Sequence, residues 1–455
     1  MEYKWKAMAV VWIGIFMATL DGSIVNVALP TLTDFFKTDI TTIEWVVMAY
    51  LLTITSLLLS LGRISDMIGR KIIFAGGLAV FTLGSGLCAF STTEGQLILF
   101  RIFQGIGAAM LMATGVAIIT HTFPPRERGR AMGLIGTVVA IGSMTGPVLG
   151  GFLIQRVGWQ YIFLINIPVG IVGTIMALKV LNNDDKSKGQ EFDIPGAFTL
   201  FVSLISLLLA LSEGQEKGWS SSFIIFLFVS SLVFFILFVT IEVRAKQPVL
   251  DLRHFRNRQF AAANISALIS FMAMYSVILL MPFYLQDELK YSPQEVGLVF
   301  MAVPLVMLVV SPLSGWLSDR TNSHVLSSIG IGIATLSILS LGDLNDNSSF
   351  MDVALSLSLL GLGMGLFQPP NNSIIMGSLP KEQLGIAAGI MGTMRNVGMV
   401  IGVAVSGAVF SNRYVLYGNN VNSFLPAFHD TFIVSAIICG IAVVVSLVRT
   451  RPKSS

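Results

Sequence analysis

Asp21 is the acidic side chain placed deepest in an apolar stretch of this chain. It lies about two-thirds of the way along the run from Ala7 to Leu29, in Leu20-Asp21-Gly22-Ser23-Ile24-Val25-Asn26. A carboxylate near the centre of a bilayer costs about 2.5–3.5 kcal/mol on insertion scales unless it is protonated, paired or wet. A group kept at that cost is a candidate to take up and release a proton; the alternative is a polar group that only packs helices. Arg101 lies in another apolar stretch and also needs a partner. It shares a helix face with Gln104 and Ala108, at i, i+3 and i+7. Two readings are open for it: a pair with Asp21 across a cavity, or a bond to a backbone carbonyl. In the first, the guanidinium holds Asp21 ionised, and losing that contact lets the carboxylate bind a proton. Arg395, in Gly392-Thr393-Met394-Arg395-Asn396, is the other intramembrane arginine. It either faces a central cavity, serving an anionic group or a proton relay, or is a structural partner of a carbonyl. Asn26, Tyr50, Gln104, Gln286, Gln368, Asn371 and Asn372 are polar groups in or near apolar runs. Each either bonds a neighbouring helix or lines a substrate cavity.

The elements that must position these groups are membrane helices. Mean hydropathy is +0.80, 54% of the 455 residues are hydrophobic and 12% are charged, about half the charged share of a globular protein. No soluble core of this length hides so much apolar surface. A net charge of +3 gives no reason to expect nucleic acid as a partner. Cys88 and Cys439 both fall in apolar spans and suggest neither a disulfide framework nor a metal site. Lys4 and Lys6 precede an apolar run too long for a signal-peptide core, so a retained first helix is expected. The chain has no phosphate-loop pattern, which argues against an ATP-driven pump. No nucleophile–base or metal-ligand cluster stands out, so no enzyme, metal or cofactor is expected. Nor is there a pore-loop signature.

Fourteen apolar segments have the length a helix needs to cross about 30 Å of hydrocarbon. They run approximately over 7–29, 44–62, 72–91, 96–120, 130–154, 160–181, 196–212, 221–243, 260–285, 294–317, 326–342, 352–373, 385–411 and 430–448. The shortest are 196–212 and 326–342. With the N-terminus in the cytoplasm, most of the 28 lysines and arginines fall inside. The inside set includes Arg63, Arg70, Lys71, Arg126, Arg128, Arg130, Lys179, Lys186, Lys188, Arg244, Lys246, Arg253, Arg256, Arg258, Arg449, Arg451 and Lys453. Lys37, Arg156, Lys217, Lys290 and Arg413 fall outside, where Asp287, Glu288, Asp343, Asp346 and Asp352 make the loops acidic. That is the positive-inside bias, and it puts both termini in the cytoplasm.

Two loop entrances repeat each other. Gly62-Arg63-Ile64-Ser65-Asp66 follows the second span and Gly315-Trp316-Leu317-Ser318-Asp319 follows the tenth. Parallel repeats of this kind indicate two halves related by an axis along the membrane normal. The expected division is a six-helix half at 1–181, an inserted helix pair with its loops at 182–259, and a second six-helix half at 260–455. Asp66 sits at a helix end among Arg63, Arg70 and Lys71, where an aspartate caps a helix N-terminus, binds an arginine, or serves only in local salt bridges. Gly142, Gly146 and Gly150 share one face of the fifth span and permit close helix approach, while Pro147 removes a backbone donor. The stripe is either simple packing or a surface against the other half that slides.

The first loop continues as Met67-Ile68-Gly69-Arg70-Lys71, and the whole closely resembles the signature loop of the major facilitator superfamily. Arg101-Ile-Phe-Gln104-Gly105-Ile-Gly107-Ala108-Ala109 resembles that superfamily's motif B. Gly142-Ser-Met-Thr-Gly146-Pro147-Val-Leu-Gly150-Gly151 resembles its motif C, associated with antiporters. Leu20-Asp21 to Pro30, with Trp159 to Gly170, resembles the fourteen-span drug:proton antiporter branch. The resemblance runs from about residue 7 to 448. It implies an all-α membrane protein of two six-helix halves plus two inserted helices, working by alternating access and taking no cofactor. It assigns Asp21 and Arg101 to proton coupling. It makes Asp66, with Gly62, Arg63, Gly69 and Arg70, a latch between the halves near Gly385. The second copy has Thr321-Asn322-Ser323-His324 where glycine and basic residues should stand, which gives a second latch no support and leaves His324 a solvated loop residue. The expected partners are protons, the bilayer and small lipophilic substrates, cations among the candidates, handled by a monomer in the plasma membrane. Asn26, Gln104, Gln368, Asn372 and Arg395 are the expected substrate cavity. A lipid or lipid-like metabolite exporter on the same fold is the alternative, and a non-transporting sensor a more distant one.

Overall fold

The computed structural model describes residues 2–38, 40–183, 192–245, 247–418 and 423–447. Among these, fourteen helices are long and apolar enough to cross a membrane, matching the expected spans one for one. They are α1 Tyr3–Phe36, α2 Ile40–Ile68, α3 Arg70–Ala89, α4 Glu94–Thr122, α5 Arg128–Arg156, α6 Tyr161–Val180, α7 Ile194–Lys217, α8 Ser222–Arg244, α9 Arg258–Phe283, α10 Glu295–Ser318, α11 Ser323–Gly342, α12 Phe350–Gly377, α13 Leu384–Leu416 and α14 Phe424–Leu447. The two segments that read shortest are full-length helices. α11 has 20 residues, about 30 Å at 1.5 Å per residue.

Helix starts follow local chemistry. Thr93, Ser221, Asn257 and Asn322 accept backbone N–H groups at the openings of α4, α8, α9 and α11, and Ser349 forms a capping box with Asp352 at α12. Two spans are broken. α6 is interrupted at Ile165 and α10 at Met301. Each break lies three residues before a proline, Pro168 and Pro304, whose missing N–H leaves a carbonyl of the preceding turn unpaired.

The helices form two bundles with one packing plan. In the first, α1 packs on α5, α2 on α4, and α3 on α4 and α6. In the second, α9 packs on α13, α10 on α12, and α11 on α12 and α14. Adding eight to each helix number converts one list into the other, so the sequence repeat is a structural repeat. α7 and α8 pair with each other, and α7 lies against α2 and α13. The bundles meet along α2–α13 and α5–α10. Large apolar side chains face outward, as at Phe226, Val229, Leu232 and Phe235 of α8. Only hydrocarbon solvates such a surface without penalty.

Loops carrying Arg63, Arg70, Arg126 and Arg128 lie at one end of the bundles, hereafter the basic face. Asp287, Asp343 and Asp346 mark the acidic face opposite. Lys186, Lys188, Lys246, Arg449, Arg451 and Lys453 lie outside the described residues.

Helix contact inside a bundle depends on glycine where backbones touch. A Cβ on Gly107 of α4 would strike the backbone of Phe81 in α3, whereas one on Gly297 in α10 would meet nothing within 4 Å. Gly107→Val should therefore cost about 1–3 kcal/mol by overpacking and lower the unfolding temperature in detergent. Gly297→Val should leave it unchanged. Equal melting temperatures for the two variants would contradict this packing.

Candidate functional site

Asp21 and Arg101 meet in the interior of the first bundle, and both are fully buried. Arg101 Nη1 donates to Asp21 Oδ2 at 2.5 Å and to Gln104 Oε1 at 2.7 Å. Its Nε donates to the Val46 carbonyl at 3.0 Å. The two sequence readings of Arg101 are thus both realised in one geometry. The guanidinium carbon stands 3.9 Å from the Tyr50 ring centroid, a cation–π contact in a dry site. Nη2 has no hydrogen-bond partner.

Asp21 collects two further donors on Oδ1: Gln104 Nε2 at 2.9 Å and Asn166 Nδ2 at 3.3 Å. Gln104 therefore belongs to the ion pair. It was expected to line the substrate cavity, but its carbonyl and amide are both engaged by the pair. Asn166 was not singled out from the sequence. It is the first residue after the break in α6, where the Pro168 interruption turns its side chain toward α1, and it also donates to Ser85 Oγ at 3.0 Å. A polar residue two positions before a proline in an apolar span was the available signal. With Ser85 donating to the Phe163 carbonyl at 2.9 Å, a polar network links α1, α3, α4 and α6. Such a pair is strongly coupled: removing one member strands the other charge.

The glycine stripe of α5 serves this site from within the same bundle. Gly142 packs on Thr19, Gly146 on Ser23 and Gly150 on Ile24, and Ser23 Oγ donates to the Gly142 carbonyl at 3.3 Å. The reading that put this stripe against the other half is corrected: its partner is α1, on both sides of Asp21. α5 does touch the other half, through a different stripe. Gly129, Gly133 and Gly136 pack on Ser311, Gly315 and Ser318 of α10.

Two latches close the basic face. Asp66 accepts the backbone N–H groups of Gly385 at 2.9 Å and Ile386 at 3.0 Å, at the N-terminus of α13. The positive end of the helix dipole and two unpaired N–H groups make that terminus an acceptor site for a carboxylate. Arg70 bonds Asp66 Oδ1 at 2.9 Å and the Lys381 carbonyl at 2.6 Å, crossing between halves. Gly69 has φ +108, a left-handed backbone that glycine adopts without strain, and the turn there brings Arg70 back over Asp66. Gly62 lets α2 approach so closely that a Cβ would collide with the Gly385 carbonyl.

The second latch, which the degraded motif gave no reason to expect, is present. Asp319 accepts the N–H groups of Gly129 at 2.7 Å and Arg130 at 2.8 Å, at the N-terminus of α5. Only the repeated glycine and aspartate are needed for it, and Gly315 and Asp319 supply them. The position matching Arg70 is Ser323, which donates to Ser318 instead, so this carboxylate lacks a guanidinium clamp. Burial pushes the Asp319 carboxyl above its usual range, opposed by the two N–H donors. A carboxyl that binds its proton more readily when the latch is closed means acid does not pull the latch apart.

Arg63 is buried beside this gate, with Nε lacking a hydrogen-bond partner, and the carboxylates that act on it are Asp66 and Glu242. Glu242, at the end of α8, accepts the N–H groups of Val249 and Leu250 at 3.2 Å each. The inserted pair thus brings a carboxylate to the gate region.

Among the remaining expected cavity residues, Asn26 is exposed and donates to the Gly22 carbonyl of its own helix. Gln286 is exposed, and Asn371 is buried with its amide on the Ala263 carbonyl at 3.3 Å. Gln368, Asn372 and Arg395 are half-buried. Toward the acidic face, Met144, Thr145, Val148, Leu149 and Phe152 of α5 and Met301 of α10 line a cleft of about 460 Å³.

The chain matches the family model of the Major Facilitator Superfamily over residues 11–403, and again over 263–455. It is 35% identical over 462 residues to the riboflavin transporter RibZ of Clostridioides difficile (strain 630), covering 100% of both chains. It is 31% identical to the multidrug transporter protein MdtP of Bacillus subtilis (strain 168), over 88% of this chain and 74% of that one. It is 30% identical to the methylenomycin A resistance protein of the same organism, over 92% and 90%. The fold resembles the human organic anion transporter MFSD10, with a TM-score of 0.69 at 15% identity, covering 96% of this chain and 100% of that one.

Arg101→Met should lower the melting temperature sharply, because a buried pair that loses one partner costs about 3–5 kcal/mol. Asp21→Asn combined with Arg101→Met should recover part of that loss; a double variant as unstable as the summed singles would show the two are uncoupled. Gly62→Val and Gly129→Val should each force the basic face open. Spin labels at Ile68 and Val325, one on each half, should report a longer distance in both variants than in the parent. An unchanged distance would rule out these contacts as the closure.

Proposed function

The chain belongs to the major facilitator superfamily, in its fourteen-span drug-efflux type, and on that premise we propose that it is a proton-coupled exporter of lipophilic compounds working by alternating access. It is a transporter and not an enzyme. The observation that carries the coupling is the sealed Asp21–Arg101 pair. Ionised and clamped, Asp21 is ready to take a proton once Arg101 is drawn away. The positive-inside bias supports placing the basic face and both termini in the cytoplasm, and an exporting role favours the plasma membrane. In this orientation the latches lie on the cytoplasmic side and the apolar cleft between α5 and α10 toward the external side, which supports reading the state as outward-facing.

A route from charge to gate runs along α5. Its Gly142–Gly150 stripe grips α1 beside Asp21, and its other end presents Gly129 and Arg130 to Asp319. A shift of α1 when the ion pair breaks is carried by α5 to the second latch. A proton motive force of about 150 mV supplies roughly 3.5 kcal/mol per proton, enough for a few-hundredfold gradient of a neutral solute. The named relatives include a multidrug transporter, a methylenomycin A resistance protein and a riboflavin transporter, which supports a small-molecule substrate. The apolar cleft between α5 and α10 favours one other reading, a lipid-like substrate entering or leaving from the side.

The test is accumulation of fluorescent lipophilic dyes in inside-out vesicles with an acidic interior. Wild type should accumulate dye, a protonophore should abolish it, and Asp21→Asn should bind dye without accumulating it. Normal pH-driven accumulation by Asp21→Asn would refute coupling at this residue. Failure of wild type with every dye, alongside translocation of labelled lipid, would favour the lipid reading.

A further inference from the structure

Arg395 is the intramembrane cation that the coupling site does not use. It lies 11 residues into α13, about 16 Å from the basic-face end of that helix. Its recorded side-chain bond is a long one, Nε to Asn396 Oδ1 at 3.4 Å. Among the described residues no carboxylate reaches it within 4 Å, and the titratable side chain that acts on it is the neutral Tyr275 phenol of α9. This contrasts with Arg101, which has Asp21, Gln104, a carbonyl and a ring.

Helix register says where Arg395 points. Gly385, Gly389 and Gly392 of α13 pack on α2, and Asn396 donates to Thr55 Oγ1 of α2 at 3.0 Å. Gly398 and Gly402 pack on Leu268 and Met272 of α9. At 100° per residue Arg395 falls on the narrow strip between those two faces. α2 and α9 belong to different bundles, so the strip looks into the space between the halves. The side chain stays half-buried there. Gln368 of α12 is also half-buried, about 14 Å from the basic-face end of its helix and so at nearly the same depth. The acidic residues of the second bundle stand near the faces: Asp319 and Glu382 at the basic end, and Asp287, Glu288, Glu295, Asp343, Asp346, Asp352 and Asp430 toward the acidic end. Asp430 is in addition held by Arg413 at 3.3 Å. The Asp21 charge is cancelled by Arg101.

At this depth between the halves Arg395 is therefore, among the described residues, a guanidinium with no carboxylate within 4 Å and with neutral polar groups on its own and a neighbouring helix. A cation approaching it is repelled, whereas a planar oxyanion is met by a fork of N–H donors. We propose that Arg395, with Tyr275, Asn396 and Gln368 around it, is the substrate anchor, and that it selects amphipathic molecules bearing one carboxylate or similar anionic oxygen group. This rests on the transport reading above and narrows its lipophilic cargo to anionic molecules, against the cations that were among the candidates from the sequence.

The experiment is equilibrium binding to the full chain in lipid nanodiscs, with no gradient. The probes are planar aromatic monocarboxylates, nalidixate among them, each paired with its methyl ester, and ethidium as the cation. Wild type should bind the acids about tenfold or more tighter than the esters, the margin a charge-assisted bidentate contact supplies. Arg395→Gln should lose the preference while keeping ester affinity, and Arg395→Lys should retain part of it. Equal binding of acid and ester across the panel, tighter binding of ethidium, or no binding of any acid would overturn the proposal. So would an Arg395→Gln protein that loses acid and ester alike while Arg395→Lys does not restore them, since that marks a structural role. Asp21→Asn separates this proposal from proton coupling: it should keep the acid-over-ester preference even where uphill transport is lost.

Discussion

A buried charge with nowhere to go organises the first bundle. Asp21 is tolerable in a dry interior only because Arg101, Gln104 and Asn166 converge on it. Those three come from α4 and α6, and Arg101 is in turn positioned by a carbonyl of α2 and the ring of Tyr50. Four helices are thus tied to the protonation state of one carboxyl. Any change at that carboxyl alters the contacts of all of them, which is the structural reach the proposed coupling requires.

The same chemical device, a carboxylate against a helix N-terminus, is used twice to join the bundles. It needs little sequence: a glycine for close backbone approach and an aspartate four residues on. That economy explains how the second latch forms without the basic residues that follow the first. The two latches differ in strength of support, since Arg70 crosses to Lys381 in one and Ser323 makes no such contact in the other. The pseudo-twofold arrangement is therefore kept in geometry and relaxed in energetics. α7 and α8 break the symmetry further by bringing Glu242 to the Arg63 side.

Much of this was legible in the chain. The fourteen spans follow from hydropathy, because a backbone in hydrocarbon must satisfy itself as helix. The repeat at Gly62–Asp66 and Gly315–Asp319 was visible, and Asp21 and Arg101 stood out because charges are rare in such spans. Other features were hidden. The stripe at Gly142–Gly150 announced close packing without saying on what, and α1 was its partner. Gln104 read as a cavity group and serves the ion pair. Asn166 was one polar residue among several until the break before Pro168 aimed it.

Sequence by itself determined the solvent, the number and length of helices, the two-half plan and the few side chains too costly to be idle. These depend on composition and spacing along one dimension, where transfer free energy and helix geometry act residue by residue. Tertiary structure alone decided which charges are cancelled. Asp21 and Arg101 are 80 positions apart, and Arg395 is as conspicuous in the sequence as Arg101, yet one is sealed in an ion pair and the other has, among the described residues, no carboxylate within 4 Å. Electrostatic energy depends on separation and surroundings in three dimensions, and only packing fixes those.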